Sequence, residues 1–85
     1  MRQSELAGMA LRLEDNMRRR WWLNSSDEWR LAVEVGSKKY GVAYRVVVLM
    51  SDLRFEPFGT FHFGFTAREC YDRMHAMCVA LEHVR

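Results

Sequence analysis

The middle of the chain alternates apolar and polar side chains with a period of two, the pattern typical of β-strands whose two faces meet different surroundings. The alternation occupies three stretches, residues 29–35, 42–50 and 58–65. Gly36 and Gly41 bracket the first connection and supply the backbone freedom that a tight hairpin needs. The pattern therefore predicts three antiparallel strands joined in chain order.

The two faces of this predicted sheet differ in character. One face carries large apolar side chains, namely Trp29, Leu31, Val33, Val46, Val48, Phe61 and Phe63. The other face mixes small or apolar residues with charged ones, namely Arg30, Ala32, Ala43, Arg45, Val47, Leu49 and His62. We expect helices to cover the first face. The second face would then be open to a partner, or to a second copy of the chain through Val47 and Leu49.

A helix-period segment precedes the strands. Its apolar face runs from Leu6 to Met17 and is extended by Trp21. Ser4 is predicted to be the N-cap of this helix. The turn-forming run at residues 24–27 is expected to end it.

A second helix-period segment follows the strands and has the clearest start signal in the chain. Thr66 and Glu69 form a capping box, and Phe65 and Cys70 occupy the hydrophobic-staple positions around it. The apolar stripe of this helix is made of Ala67, Cys70, Tyr71, Met74, Met77, Cys78 and Leu81. Oppositely charged residues four apart predict helical ion pairs, namely Glu14 with Arg18, Asp15 with Arg19, and Arg68 with Asp72.

The order of elements is thus α-β-β-β-α. We expect one α+β domain, residues 1–85, in which a three-stranded antiparallel meander carries both helices on one face. A chain of this length with 49% hydrophobic residues can build a single core. The net charge of +2 does not by itself indicate a nucleic-acid partner.

The cysteines and the hydropathy of the chain suggest its compartment. Cys70 and Cys78 lie eight residues apart on one predicted helix, about 12 Å along its axis, which is beyond disulfide reach. We expect buried free thiols in a reducing compartment. The first twenty residues lack an apolar leader, and no stretch has the apolar length of a membrane span. The chain is therefore predicted to be cytoplasmic and to have no membrane partner.

No pattern in the sequence indicates catalysis, a cofactor or a metal. The histidines and cysteines do not fall into a pair with metal-ligand spacing. Both cysteines lie among apolar residues, whereas a reactive thiolate needs an electropositive and partly exposed setting. There is no glycine-rich phosphate loop. We therefore expect a protein that is not an enzyme.

The sharpest surface feature is the run Arg18-Arg19-Arg20-Trp21-Trp22. Adjacent helical residues point about 100° apart, so at least one tryptophan is expected to stay partly exposed beside the arginines. Tryptophan and arginine are enriched at binding hot spots, and the same residues could hold a phosphate backbone and stack on bases. The competing interpretation is that both tryptophans pack beneath the sheet.

Two resemblances bear on function. The order α-β-β-β-α resembles that of double-stranded-RNA-binding domains, which implies phosphate contacts from the first hairpin, here Lys38 and Lys39. Where that family carries a lysine cluster, the second helix has Thr66-Ala67-Arg68-Glu69. In size and character the chain also resembles the small phage-encoded anti-defence proteins, anti-CRISPR inhibitors among them. That resemblance implies an inhibitor that covers a surface of a host complex.

The leading hypothesis is a non-enzymatic protein that inhibits a protein or ribonucleoprotein complex in the host cytoplasm by steric blockade. Its predicted anchor is Arg18, Arg19, Arg20 and Trp22, with a secondary electrostatic contact from Lys38, Lys39 and Arg45. The alternative is a small nucleic-acid-binding domain that uses the same arginines. A homodimer joined through Val47 and Leu49 is compatible with either.

Overall fold

The computed structural model of the chain describes residues 1–21, 28–36, 43–51, 53–58 and 63–83, and of Trp21 it describes only the backbone. Helix α1 spans Gln3–Asn16 and continues into a π-helical turn, Met17–Trp21, called the π turn below. The strands are β1 (Arg30–Val35), β2 (Tyr44–Leu49) and β3 (Arg54–Phe55), and helix α2 spans Ala67–Glu82. The strands form one antiparallel sheet in the order β1-β2-β3. The predicted fold class and element order are confirmed.

The core lies between the helices and the predicted apolar face of the sheet. Leu31 pairs with Val48 and Val33 with Val46, so these four side chains share a face. They pack against the apolar stripes of both helices together with Trp29, which is buried. The buried helical residues of this core are Leu6, Met9, Ala10, Leu13, Met17, Cys70, Met74 and Cys78. The period-two pattern of the strands and the 3.6-residue pattern of the helices thus both predicted residues of this one core.

The two helices start differently. At α2, Thr66 Oγ1 accepts a hydrogen bond from the Glu69 N–H at 3.1 Å, and the Glu69 carboxylate reaches back to the N–H of Phe65 at 3.4 Å. The predicted cap by Thr66 is therefore present, and the Glu69 carboxylate closes the box on the N–H of Phe65, one residue before the N-cap, instead of on that of Thr66. At α1 the N-cap is Arg2, whose carbonyl accepts the first helical N–H groups. Ser4 lies inside the helix, so its prediction as the N-cap is wrong.

The third strand lies earlier in the chain than the sequence predicted. β3 is Arg54–Phe55, paired with the end of β2. Of the predicted strand at 58–65, residues 59–62 lie outside the described residues, and Gly64 makes an isolated bridge to Tyr44. The backbone of Gly64 has φ 147°, which a regular strand of L-residues does not adopt. Phe63 and Gly64 therefore form a strap across the start of β2, bonded to the backbone of Tyr44.

The far face of the sheet, which the helices do not cover, is less open than predicted. Val47 is fully buried, whereas Leu49 is exposed. Arg54 lies beside Leu49, and Glu34 lies beside Arg45. The ion pair between Arg54 Nε and Glu34 Oε1, 3.0 Å apart, therefore crosses β2 at the level of Val47. The prediction that Val47 is exposed is wrong, and its side chain cannot join two copies without a rearrangement of this ion pair.

Candidate functional site

The candidate site is the π turn, which carries the arginine run. Met17, its first residue, is fully buried in the core and fixes the start of the turn. The turn replaces α-helical bonding by the wider i→i+5 pattern, which is rare and is found frequently at functional sites. We call Arg18, Arg19 and Arg20 together the arginine turn.

Arg18 is bound within the protein. Its Nη2 donates to the carbonyl of Trp29, and its Nε lies 3.4 Å from Glu14 Oε2. Its guanidinium carbon lies 4.2 Å from the centroid of the Trp29 ring, within cation–π range. Since Trp29 is buried immediately before β1, Arg18 connects the π turn to the sheet. Arg18 therefore braces the site and is less exposed than Arg19.

Arg19 and Arg20 point into solvent. Arg19 Nε lies 3.1 Å from Asp15 Oδ1, and both side chains are largely exposed. Arg20 Nη1 donates to Asn16 Oδ1 at 2.6 Å. The predicted i,i+4 pairs of Glu14 with Arg18 and Asp15 with Arg19 are confirmed. Each exposed guanidinium keeps further N–H donors, because a single acceptor atom cannot engage all five.

The other predicted contact residues are not brought together by the described structure. Trp22, Lys38 and Lys39 lie outside the described residues. Arg45 lies on the far face of the sheet, where its Nη1 is 3.6 Å from Glu56 Oε1. Its charge is therefore partly balanced within the protein.

A polar network joins the ends of the two helices directly behind the arginine turn. Asn16 is buried and donates through Nδ2 to the Arg12 carbonyl at 3.0 Å and to Glu82 Oε2 at 2.7 Å. Arg12 binds the same carboxylate through Nε at 2.8 Å and Nη2 at 2.6 Å. Asn16 therefore accepts a hydrogen bond from Arg20 through Oδ1 and donates one to Glu82 through Nδ2. Sequence reasoning missed this network, although a polar residue beside Met17 on the apolar face of the helix was a signal.

This network makes the fold sensitive to acid. The hydrogen bonds from Arg12, and secondarily from Asn16, lower the pKa of Glu82 to about 2. A carboxylate whose pKa is lower in the folded state stabilises the fold above its unfolded pKa, and that stability is lost as the pH falls through the folded value. We expect the melting temperature of the wild type to fall between pH 4.5 and pH 2 more steeply than that of Glu82→Gln. Thermal melts at several pH values would measure this, and parallel curves for the two proteins would contradict it.

The cysteines are not poised for nucleophilic chemistry. Cys70 and Cys78 are free and fully buried. Burial raises the pKa of Cys70 to about 11 and also raises the pKa of Cys78. Both thiols are therefore protonated at neutral pH, and Cys78 Sγ lies 3.9 Å from Met9 Sδ.

In the described part of the chain, no three side chains of His, Cys, Asp or Glu are grouped as a metal site would require. None of its helices combines the length and apolar character required to cross a bilayer. Comparisons of the chain with protein-family models, with curated proteins and with solved structures found no match.

Proposed function

We propose that the chain is a non-enzymatic binding protein that inhibits a protein or ribonucleoprotein partner by covering part of its surface. Its attachment point is the arginine turn, and the observation that carries the proposal is the brace formed by Arg18. The brace ties the turn to Trp29 and Glu14, so Arg19 and Arg20 are displayed from a fixed backbone. A preorganised site loses less conformational entropy on binding. Arginine is also among the residues that most often dominate binding energy.

The charge distribution favours a protein partner over a nucleic acid. A phosphate-binding surface needs cations that are free to neutralise phosphates. Among the described residues, many arginines already lie within 4.0 Å of a carboxylate, namely Arg12, Arg18, Arg19, Arg45, Arg54 and Arg68. The net charge of the chain is only +2. A protein surface that presents both acceptors and apolar groups suits such a mixed patch better.

The small size of the chain bears on how it would inhibit its partner. A single small domain that binds through a surface turn is suited to steric blockade of a larger complex. The phage-encoded anti-defence inhibitors, which include anti-CRISPR proteins, act in this way, and we place the chain among them as a hypothesis. Trp22 would extend the anchor because it follows the π turn in sequence.

A pair of matched substitutions tests the attachment point. Arg19 and Arg68 are both helical, 69% and 72% exposed, and paired with an aspartate four residues away at 3.1 and 3.3 Å. Arg19→Glu and Arg68→Glu therefore change the net charge equally and each removes one Arg–Asp pair, while Arg68→Glu also removes the contact of Arg68 with the Tyr71 ring. We expect Arg19→Glu to weaken partner binding by about 2 kcal/mol or more, roughly thirtyfold in Kd. Arg68→Glu should bind like the wild type.

The measurement is recovery of the partner on immobilised protein from a bacterial lysate, followed by titration of the purified partner. Equal melting temperatures of the two variants would show that both are folded. Equal losses of binding in both would contradict the assignment of the site. A nucleic-acid partner would be identified instead if nuclease treatment abolished recovery. The logarithm of the binding constant would then fall linearly with the logarithm of the salt concentration.

A further inference from the structure

The outer edge of β1 presents backbone groups that, among the residues the structure describes, are only partly paired. β1 is an edge strand, and in an antiparallel ladder its residues alternately face the neighbouring strand and the outside. The Gly36 N–H donates to the Ala43 carbonyl at 2.6 Å, which fixes the phase of this alternation. The even-numbered residues of β1 therefore bond to β2. Leu31, Val33 and Val35 direct their N–H and C=O groups outward.

This edge is closed at one end and open at the other. The N–H of Leu31 is bound by Glu14 Oε1 of α1 at 2.7 Å. For the N–H groups of Val33 and Val35, the described residues provide no acceptor. Exposed strand edges are usually blocked because they template further strand pairing. Here Glu14 covers only Leu31, the first of the three β1 residues whose backbone groups face outward.

A groove lined mainly by apolar residues, with Gln3, Arg30 and Tyr44 also in its wall, lies beside the open edge. It has a volume of about 500 Å³ between the first half of α1 and β1. Leu6, Ala7 and Leu11 line it on the helix side, and Leu31, Val33 and Val35 on the strand side. Leu11 and Val35 are both exposed. A strand added to β1 would place every second side chain in this groove.

The opposite side of the edge strand carries an unbalanced charge. Arg30 and Glu34 both point to the far face of the sheet. Glu34 is already held by Arg54, and this ion pair lowers the pKa of Glu34. Arg30, by contrast, has no carboxylate within 4.0 Å among the residues that the structure describes. Because Glu14 already occupies the edge at Leu31, an added strand reaches no further than Ala32, where an acidic side chain would be the diagonal neighbour of Arg30.

We propose that the open edge of β1 binds an extended segment of a partner protein as an additional antiparallel strand. The segment would have apolar residues at alternate positions, which enter the groove, and an acidic residue opposite Ala32, diagonal to Arg30. Main-chain hydrogen bonds to Val33 and Val35 supply affinity, and the groove and Arg30 supply selectivity. This surface is distinct from the arginine turn, so the inference stands or falls independently of the proposed function.

The test uses a synthetic peptide in which the order of apolar, polar and acidic residues matches this surface. In antiparallel pairing, Val-Thr-Val-Thr-Val-Glu can place its last two valines opposite Val35 and Val33 and its glutamate opposite Ala32. The peptide is titrated into the ¹⁵N-labelled full chain. We expect the amide signals of Val33 and Val35 to shift and their hydrogen exchange to slow at least tenfold. Exchange of the Leu31 amide, which Glu14 already protects, should change less.

Three comparisons make the result specific. The peptide Val-Thr-Val-Thr-Val-Lys should bind at least tenfold more weakly, and Arg30→Glu should reverse that preference. Ala7→Lys, which puts a charge in the groove, should abolish binding. Ala76→Lys, at an exposed alanine on α2, should leave binding unchanged. Equal melting temperatures for the two lysine variants would show that lost binding is not lost folding.

Two results would overturn the proposal. The first is the absence of amide shifts at Val33 and Val35 at millimolar peptide. The second is slow exchange of both amides in the free protein, because the edge would then already be covered. Sedimentation would then distinguish a second copy on the edge from the chain's own residues.

Discussion

Replacing Gly64 with alanine is expected to destabilise the protein by about 2–5 kcal/mol. The backbone of Gly64 has φ 147°, where an L side chain is strained. An added Cβ would lie 2.8 Å from the Glu69 Cβ and 2.9 Å from the backbone N of Cys70. Both contacts are with the first turn of α2, which cannot retreat without breaking the capping box. Chemical denaturation would report the loss as a lower midpoint.

A second glycine provides the control for this prediction. Gly8 lies inside α1, is exposed, and a Cβ there would meet nothing within 4 Å. Gly8→Ala should therefore stabilise the protein by about 0.5–1 kcal/mol, through the higher helix propensity of alanine. The two alanine variants are thus expected to shift the midpoint in opposite directions. Shifts of the same sign would show that the strap at Gly64 is not held as described.

Replacing Glu14 with alanine is expected to cost about 2–3 kcal/mol, the second-largest effect. Its carboxylate accepts from the Leu31 N–H at 2.7 Å and from Arg18 Nε at 3.4 Å. The truncation leaves the donor of a buried residue without its acceptor and removes one of the bonds that hold the arginine turn. Denaturation would measure the loss. Faster hydrogen exchange at the Leu31 amide would locate it.

Two further variants separate the hydrogen bond from the charge. Glu14→Gln keeps a carbonyl oxygen for the Leu31 N–H and should lose clearly less stability than Glu14→Ala. Asp15→Ala removes the neighbouring carboxylate, whose partner Arg19 is exposed, and should cost less than about 1 kcal/mol. If Asp15→Ala were as damaging as Glu14→Ala, the special position of Glu14 at the strand edge would be refuted.

The parts of the fold that follow from local rules could be predicted from the sequence. The alternation in β1 and β2 identified the face that the helices bury, because burial of one face imposes a period of two on the strand. The start of α2 could be predicted because a capping box involves only neighbouring residues. The helical ion pairs, including Arg68 with Asp72 at 3.3 Å, follow from spacing alone.

The features that depend on distant contacts could not be predicted in this way. Val47 has the sequence position of an open-face residue, and its burial coincides with an ion pair that links β1 to β3. The third strand was misplaced because the aromatic residues at 58–65 alternate like a strand. Only the backbone of Gly64 reveals the strap. At the candidate site, the role of Arg18 depends on Trp29, eleven residues away. Such pairings leave no periodic signature.

The contacts between α1 and α2 determine when the chain can complete its fold during synthesis. Arg12 binds Glu82 across 70 positions, and the sulfur atoms of Met9 and Cys78 approach across 69. Helix α1 therefore meets α2 only after α2 has been synthesised, although α1 itself is made much earlier. Until then its apolar stripe has no second helix to cover it, a state that favours aggregation or chaperone binding. Nascent chains stalled before α2 should accordingly be far more sensitive to protease than the finished protein.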